Sequence, residues 1–136
     1  MHLVLELADG GDLGRLIETM REHGTRFAEA DVWRYVDQIS SALLKCHSSR
    51  IMHRDIKPTN LFLTGSGDLK LGDLGLGRLL SSRSGQAESV VGSPYYMSGE
   101  VIQNQKYSYS SDIWSLGCIT CVFMFSIDTH PLFFQW

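Results

Sequence analysis

Three cysteines in 136 residues are too few for a disulfide framework. Cys118 and Cys121 form a C-x-x-C, but no strand leads into it as a redox pair requires. No second pair accompanies it as a zinc site requires. Reduced thiols without chemistry of their own are expected. Clusters of basic residues are also absent. With a net charge of −3 and no run of Lys or Arg, nucleic acid is not an expected partner. Long apolar runs are missing as well. The longest, residues 113–127, is shorter than the ~20 residues a membrane helix needs, and it contains Ser115 and Gly117. It reads as a buried helix, so no membrane association is expected. The opening "MHLVLELADGG" has no basic region and meets an acid at Glu6, unlike a secretory signal. No repeat or low-complexity tract is visible. What remains is 43% apolar and 20% charged, the balance of a soluble globular protein long enough for one domain.

The pattern along the chain is mixed α+β. His2 to Leu7 is predicted as a short buried strand ending at the turn "ADGGD". Asp12 caps a predicted helix with apolar positions Leu13, Leu16, Ile17 and Met20, and Gly24 stands where it should stop. Val32, Val36, Ile39, Leu43 and Cys46 recur at spacings of four and three, one face of a second helix. Trp33 is assigned to the packed face with Val36 and Leu43. Two short strands, "LFL" (61–63) and "LKL" (69–71), are joined as a hairpin by "TGSGD". Residues 79–94, rich in Ser and Gly, predict a long loop. Asp112 opens the apolar helix 113–127.

Between Ile51 and Leu63 lies "IMHRDIKPTNLFL", a charged stretch between apolar runs. Asp55 and Asn60 stand five apart in it, and Asp73 follows one hairpin later in "GDLG". Taken singly, Asp55 and Lys57 read as a surface ion pair, Asp73 as a turn acid, and serines 81, 82, 84, 89 and 93 as loop solvation. Taken together, they match the needs of phosphoryl transfer. One carboxylate can accept a hydroxyl proton, a lysine can contact the phosphoryl group, and an amide oxygen with a second carboxylate can hold a divalent cation. The order is that of H-R-D-x-x-x-x-N followed by D-x-G.

"HRDIKPTN", "LGDLGLGR", "VGSPYYMSGE" and "SDIWSLG", in that order and spacing, resemble a eukaryotic serine/threonine protein kinase. Asp-Leu-Gly in place of Asp-Phe-Gly, with "LELADGGDL" and "SPYYMS", is similar to the NIMA-related (NEK) kinases, most of all the small members that are little more than a catalytic domain. The likeness runs from about Leu3 to Cys118. The resemblance implies Asp55 as catalytic base, Lys57 as phosphate contact, and Asn60 and Asp73 as Mg²⁺ ligands. It implies an ATP site in which Leu5 is the gatekeeper, the backbone of Glu6 and Ala8 binds the adenine edge, and Phe62 lies beneath the base. Arg54 and Arg78 would hold a phosphate on Ser89, placed there by an upstream activating kinase. Ser93 would contact the catalytic loop, and Asp112 would brace that loop's backbone. Protein substrates carrying Ser or Thr are implied, and a location in cytoplasm or nucleus, at the centrosome or spindle.

Three departures from the family pattern stand out. No G-x-G-x-x-G occurs. Gly99 stands where the family has Pro, and the family partner of Glu100 is an Arg beyond the likeness. The tail "ITCVFMFSIDTHPLFFQW" does not match. The expectation is therefore a partial protein-kinase domain over residues 1–136, family-like over 3–118 and divergent over 119–136. It would be mainly the helical large lobe, with the small lobe largely missing. Two functions follow from different classes: a kinase whose isolated chain is impaired, or a non-catalytic kinase-like fragment that acts as a protein-binding module.

Overall fold

A computed structural model describes residues 4–74 and 94–125. Four helices and one hairpin make up the described residues: α1 (Leu13–Glu22), α2 (Glu29–Ser48), β1 (Leu61–Leu63), β2 (Leu69–Leu71), α3 (Gly99–Ile102) and α4 (Tyr109–Phe125). Single 3₁₀ turns cover Pro58–Asn60 and Pro94–Tyr96. The mixed α+β character is as expected.

Local chemistry sets the helix ends. Asp12 accepts the Arg15 N–H at 3.0 Å, satisfying one of the four donors a helix start leaves open. At the other end Gly24 adopts φ +63°, and the Thr25 N–H reaches back to the Met20 carbonyl at 2.9 Å. α2 carries Glu29 and Asp31 in its first turn and Lys45 and His47 in its last, both favourable to the helix dipole. It stops in the same manner with a less permissive residue. Arg50 takes φ +59° while the Ile51 N–H bonds the Cys46 carbonyl at 2.9 Å.

β1 and β2 pair antiparallel, with Leu61, Phe62 and Leu63 opposite Leu71, Lys70 and Leu69. α2 holds this hairpin by its turn: Arg34 donates to the Gly67 carbonyl at 2.8 Å, and Gln38 bonds both the Asp68 carboxylate and the Leu69 N–H. On the other side of β1 the segment before α1 runs alongside. Gly10 N–H bonds the Leu63 carbonyl and Leu63 N–H bonds the Gly11 carbonyl, each at 2.8 Å. A Cβ on Gly10 would lie 2.8 Å from the Leu63 carbonyl oxygen, so only glycine lets the two backbones meet.

The core lies where α2, α4, α1 and the hairpin converge, on Leu13, Val32, Tyr35, Ile39, Leu43, Ile56, Leu61, Leu116, Ile119 and Phe123. Phe27, Tyr35 and Phe123 form a ring cluster with centroids 5.1–6.2 Å apart.

Several sequence expectations are corrected. No strand forms over residues 4–7, and Val4, Leu5 and Leu7 are exposed. A strand needs a backbone hydrogen-bonding neighbour, and among the described residues no backbone ladder joins residues 4–7 to β1 or β2. Trp33 is not a core residue. It is 53% exposed, with its indole N–H on Glu29, and Tyr35 takes the buried position instead. α4 begins at Tyr109, so Asp112 sits in its first turn and does not cap it. The predicted loop 79–94 lies outside the described residues except for Pro94, and so do residues 126 and 127 of the predicted helix.

Removing the Phe123 ring empties the centre of the aromatic cluster. Phe123→Ala should destabilise the chain by ~3–5 kcal/mol, measured as a lower midpoint in urea unfolding. Met124→Ala, one residue along but half exposed, should cost well under half of that.

Candidate active site

The charged stretch after α2 is built on one buried carboxylate. Asp112 is fully buried and receives four contacts. Its Oδ2 accepts the His53 N–H at 3.0 Å and meets His47 Nε2 at 2.7 Å. Its Oδ1 accepts the Arg54 N–H at 3.0 Å and the Tyr107 hydroxyl at 2.7 Å. Two consecutive backbone donors, on His53 and Arg54, are thus fixed by one side chain from α4. Arg54 holds φ +71°, a left-handed conformation that costs a non-glycine residue ~1–3 kcal/mol and persists only where its surroundings over-determine it. Burial and the neighbouring Asp112 carboxylate push the Tyr107 phenol well above its usual range, which keeps it a neutral donor.

His53, also buried, joins this loop to the next. Its Nδ1 accepts the Asp55 N–H at 3.3 Å, so Nε2 carries the proton and donates to the Gly72 carbonyl at 2.8 Å. Gly72 N–H in turn donates to the Asn60 carbonyl at 2.9 Å, extending the hairpin ladder by one pair. Asn60 therefore lies opposite Gly72, and Asp73 follows directly, with φ +60°. A Cβ on Gly72 would fall 2.6 Å from the Phe62 ring.

Asp55, Lys57 and Asn60 form one cluster. Lys57 Nζ lies 2.7 Å from Asp55 Oδ2, and Asn60 Nδ2 donates to the same oxygen at 2.9 Å and to the Asp55 carbonyl at 2.8 Å. Both side-chain donors meet Oδ2. Asn60 commits its amide nitrogen to Asp55, which leaves its oxygen for a cation. The ion pair of Asp55 and Lys57 is about three-quarters buried, so it is not the solvated turn pair that either residue alone would suggest.

The structure describes the residues that the resemblance assigned to an adenine site. Glu6 pairs with Lys70 at 2.7 Å, and Lys70 stands opposite Phe62, so Glu6 reaches the face of the hairpin that carries Phe62. Ala8 is half-buried, and Leu5 is 75% exposed. Arg54 is placed beside Asp55, while Arg78, Ser89 and Ser93 lie outside the described residues. Glu100 accepts the Ser111 hydroxyl at 2.7 Å, which holds its carboxyl below the usual range. Four contributors had no role assigned from sequence: His47, His53, Tyr107 and Ser111. His47 is 65 residues from Asp112, and no local pattern signals that contact.

An acid, a lysine and an amide thus meet in one cluster, and Asp73 stands one residue beyond the backbone partner of Asn60. The protein kinase domain model matches residues 1–133, and the chain belongs to that family. The NIMA-related likeness holds in the relatives. The chain is 37% identical over 96% of its length to the G2-specific protein kinase fin1 of Schizosaccharomyces pombe. It is 40% identical over 88% to the serine/threonine-protein kinase Nek2 of Homo sapiens, and 44% identical over 88% to Nek3 of Mus musculus. It spans 20%, 28% and 23% of those proteins respectively.

Asp112→Asn replaces one acceptor oxygen by a donor that faces donors. At least one of the His53, Arg54 and Tyr107 groups then loses its partner, at ~1–3 kcal/mol for each orphaned group. Chemical denaturation should show that loss, with faster amide exchange at His53 and Arg54. The Tyr107 phenol supplies an independent check. Because its folded pKa is raised, the stability it confers is complete below its unfolded pKa near ~10 and is lost as pH rises above it. An ultraviolet titration should find Tyr107 ionising well above the usual phenol range, and Tyr107→Phe should remove that late step.

Proposed function

We propose that this chain is the catalytic-loop portion of an ATP-dependent serine/threonine protein kinase. The observation that carries the reading is the convergence of Asp55, Lys57 and Asn60 on one carboxylate oxygen, with Asp73 held one residue beyond the partner of Asn60. Asp55 is the base, and its Oδ1 accepts the proton of a substrate Ser or Thr hydroxyl as the oxygen attacks. Lys57 steadies Asp55 and lies within reach of the transferred phosphoryl group. The donor set fits Mg²⁺, because Asn60 offers an amide oxygen and Asp73 an exposed carboxylate, both hard ligands. When bound, Mg²⁺ would supply charge neutralisation on the phosphate oxygens. Phe62, packed against Gly72, supplies an apolar face on which the adenine of ATP can lie, bordered by Glu6 and Ala8.

Protein substrates with Ser or Thr are the matching partners. Regulation by an upstream kinase at Ser89, with Arg54 and Arg78 pairing the phosphate, belongs to the same reading. So does a place in the cytoplasm or nucleus, at the centrosome or spindle. No described helix is long and apolar enough to cross a membrane.

One observation favours the second reading, a non-catalytic binding module: Leu5, the expected gatekeeper, is exposed together with Val4 and Leu7. Mg²⁺–ATP titration calorimetry on the chain separates the two, since a binding module shows no heat that depends on Asp73.

The catalytic reading is tested by setting residues 3–118 into a complete kinase domain of this family and changing Asp55→Asn. The acceptor is lost while shape is kept, so kcat should fall ~10²–10⁴-fold. Turnover near that of the parent would remove Asp55 from the mechanism.

A further inference from the structure

We propose that Cys118, Cys121 and Met124, three sulfur side chains on successive turns of α4, bind a soft monovalent cation of the Cu(I) class. Cys118 and Cys121 have neither the leading strand of a redox motif nor the second pair of a zinc site, and the kinase reading makes no use of them. Met124 repeats their spacing of three. Cys118 is half-buried, Cys121 is exposed and Met124 is 46% exposed. Each step of three residues falls ~60° short of a full turn, so the positions follow a shallow arc along one side of the helix.

Distance decides between a cation and a disulfide. Residues three apart on a helix have Cβ atoms ~5–6 Å apart. A disulfide needs them at ~3.5–4.5 Å, so closing one here would distort α4. A cation held ~2.3 Å from each thiolate spans up to ~4.6 Å between the two sulfurs, which takes up the difference without moving the backbone. Long side chains on a helix lean toward its N-terminus, a lean that brings a thioether at position 124 toward Cys121.

Electrostatics favours the same choice. Burial and the neighbouring Cys121 push the Cys118 thiol up. A thiol kept protonated reacts slowly with oxidants. Two adjacent thiolates repel each other, and a cation between them removes the repulsion. Two S–H protons pass to solvent as two copper–thiolate bonds form, and no electron moves.

The donors select the metal. Thiolate and thioether are soft and suit Cu(I), which is satisfied by two or three sulfurs. Zinc wants a closed tetrahedral set, and Mg²⁺ or Ca²⁺ wants oxygens. Oxygen is not on offer here. Asp112, the one carboxylate of α4, is buried and bonded to His53 and Arg54, and the Thr120 hydroxyl is committed to the Leu116 carbonyl at 2.9 Å. Approach is open, because a Cβ on Gly117, one turn before Cys121, would meet nothing within 4 Å. Neither Asp55 nor Asp73 takes part, so the site stands or falls apart from the kinase reading.

The test is competition for Cu(I) between the full chain, reduced and kept free of oxygen, and a coloured copper(I) chelator such as bicinchoninate. The chain is expected to withdraw one equivalent of Cu(I), with X-ray absorption showing sulfur neighbours alone. Cys118→Ser and Cys121→Ser should each weaken binding by ~100-fold or more, beyond the ~10–100-fold that losing an outer partner of a metal ligand costs. Met124→Leu, a swap of similar volume, should weaken it ~10-fold. Unchanged circular dichroism separates a lost ligand from a lost helix. Cys46→Ser, on α2, should change nothing. A chelator that keeps all its copper overturns the proposal. Binding that survives Cys118→Ser or Cys121→Ser, or that Cys46→Ser abolishes, overturns it in favour of another site. Met124→Leu without effect overturns the three-sulfur set. Conversion of the pair to a disulfide by mild peroxide, seen by mass as the loss of two hydrogens in a chain that takes no Cu(I), overturns it in favour of a redox pair.

Discussion

The Asp112 carboxylate is the constraint on which the rest of the site depends. It comes from the first turn of α4, it is fully buried, and it is met by donors from three separate stretches of chain. A buried carboxylate stays charged only where its lone pairs are satisfied. Here that requirement positions the backbone of His53 and Arg54, and through it the direction in which Asp55 leaves the loop. The left-handed Arg54 follows, because two fixed N–H groups in succession leave the chain little choice of path. Stability and the geometry of the proposed catalytic loop thus share one side chain, and a change at Asp112 reaches Asp55 without touching it.

The second constraint runs through Gly72. Its N–H is bonded to the Asn60 carbonyl and its carbonyl to His53. Nothing larger fits beneath Phe62. This residue without a side chain joins the loop bearing Asp55 to the loop bearing Asp73. The His53 imidazole completes the link, with one nitrogen accepting from Asp55 N–H and the other donating to Gly72. A single proton placement serves both bonds, so the two acids are held through one ring.

The segment around α3 shows how a departure from the family pattern is accommodated. Gly99 opens α3 where the family has proline, and nothing lies within 4 Å of where its Cβ would be. Glu100, whose family partner is a distant arginine, instead accepts from Ser111 one turn before the core of α4. A neutral hydroxyl holds the carboxylate in place, with less electrostatic gain than a paired guanidinium would bring.

Much of this was legible in the sequence because it is local. The Asp12 cap, the Gly24 stop, the period of α2 and the hairpin register each depend on residues within a few positions of one another. The cluster of Asp55, Lys57 and Asn60 spans six residues, so its spacing carried the chemistry and the family resemblance with it. Long-range contacts decided the remainder. Residues 4–7 have strand composition, but composition provides no neighbouring strand. Trp33 and Tyr35 are both aromatic and two apart, and the packing of α2 on α4 alone chose Tyr35 for the core. His47, His53 and Tyr107 looked like ordinary loop and helix residues until folding brought them to one carboxylate. The sequence by itself determined which chemical groups the protein has and their order. The tertiary structure decided which of them share a buried charge, because that depends on residues some sixty positions apart meeting where water is excluded.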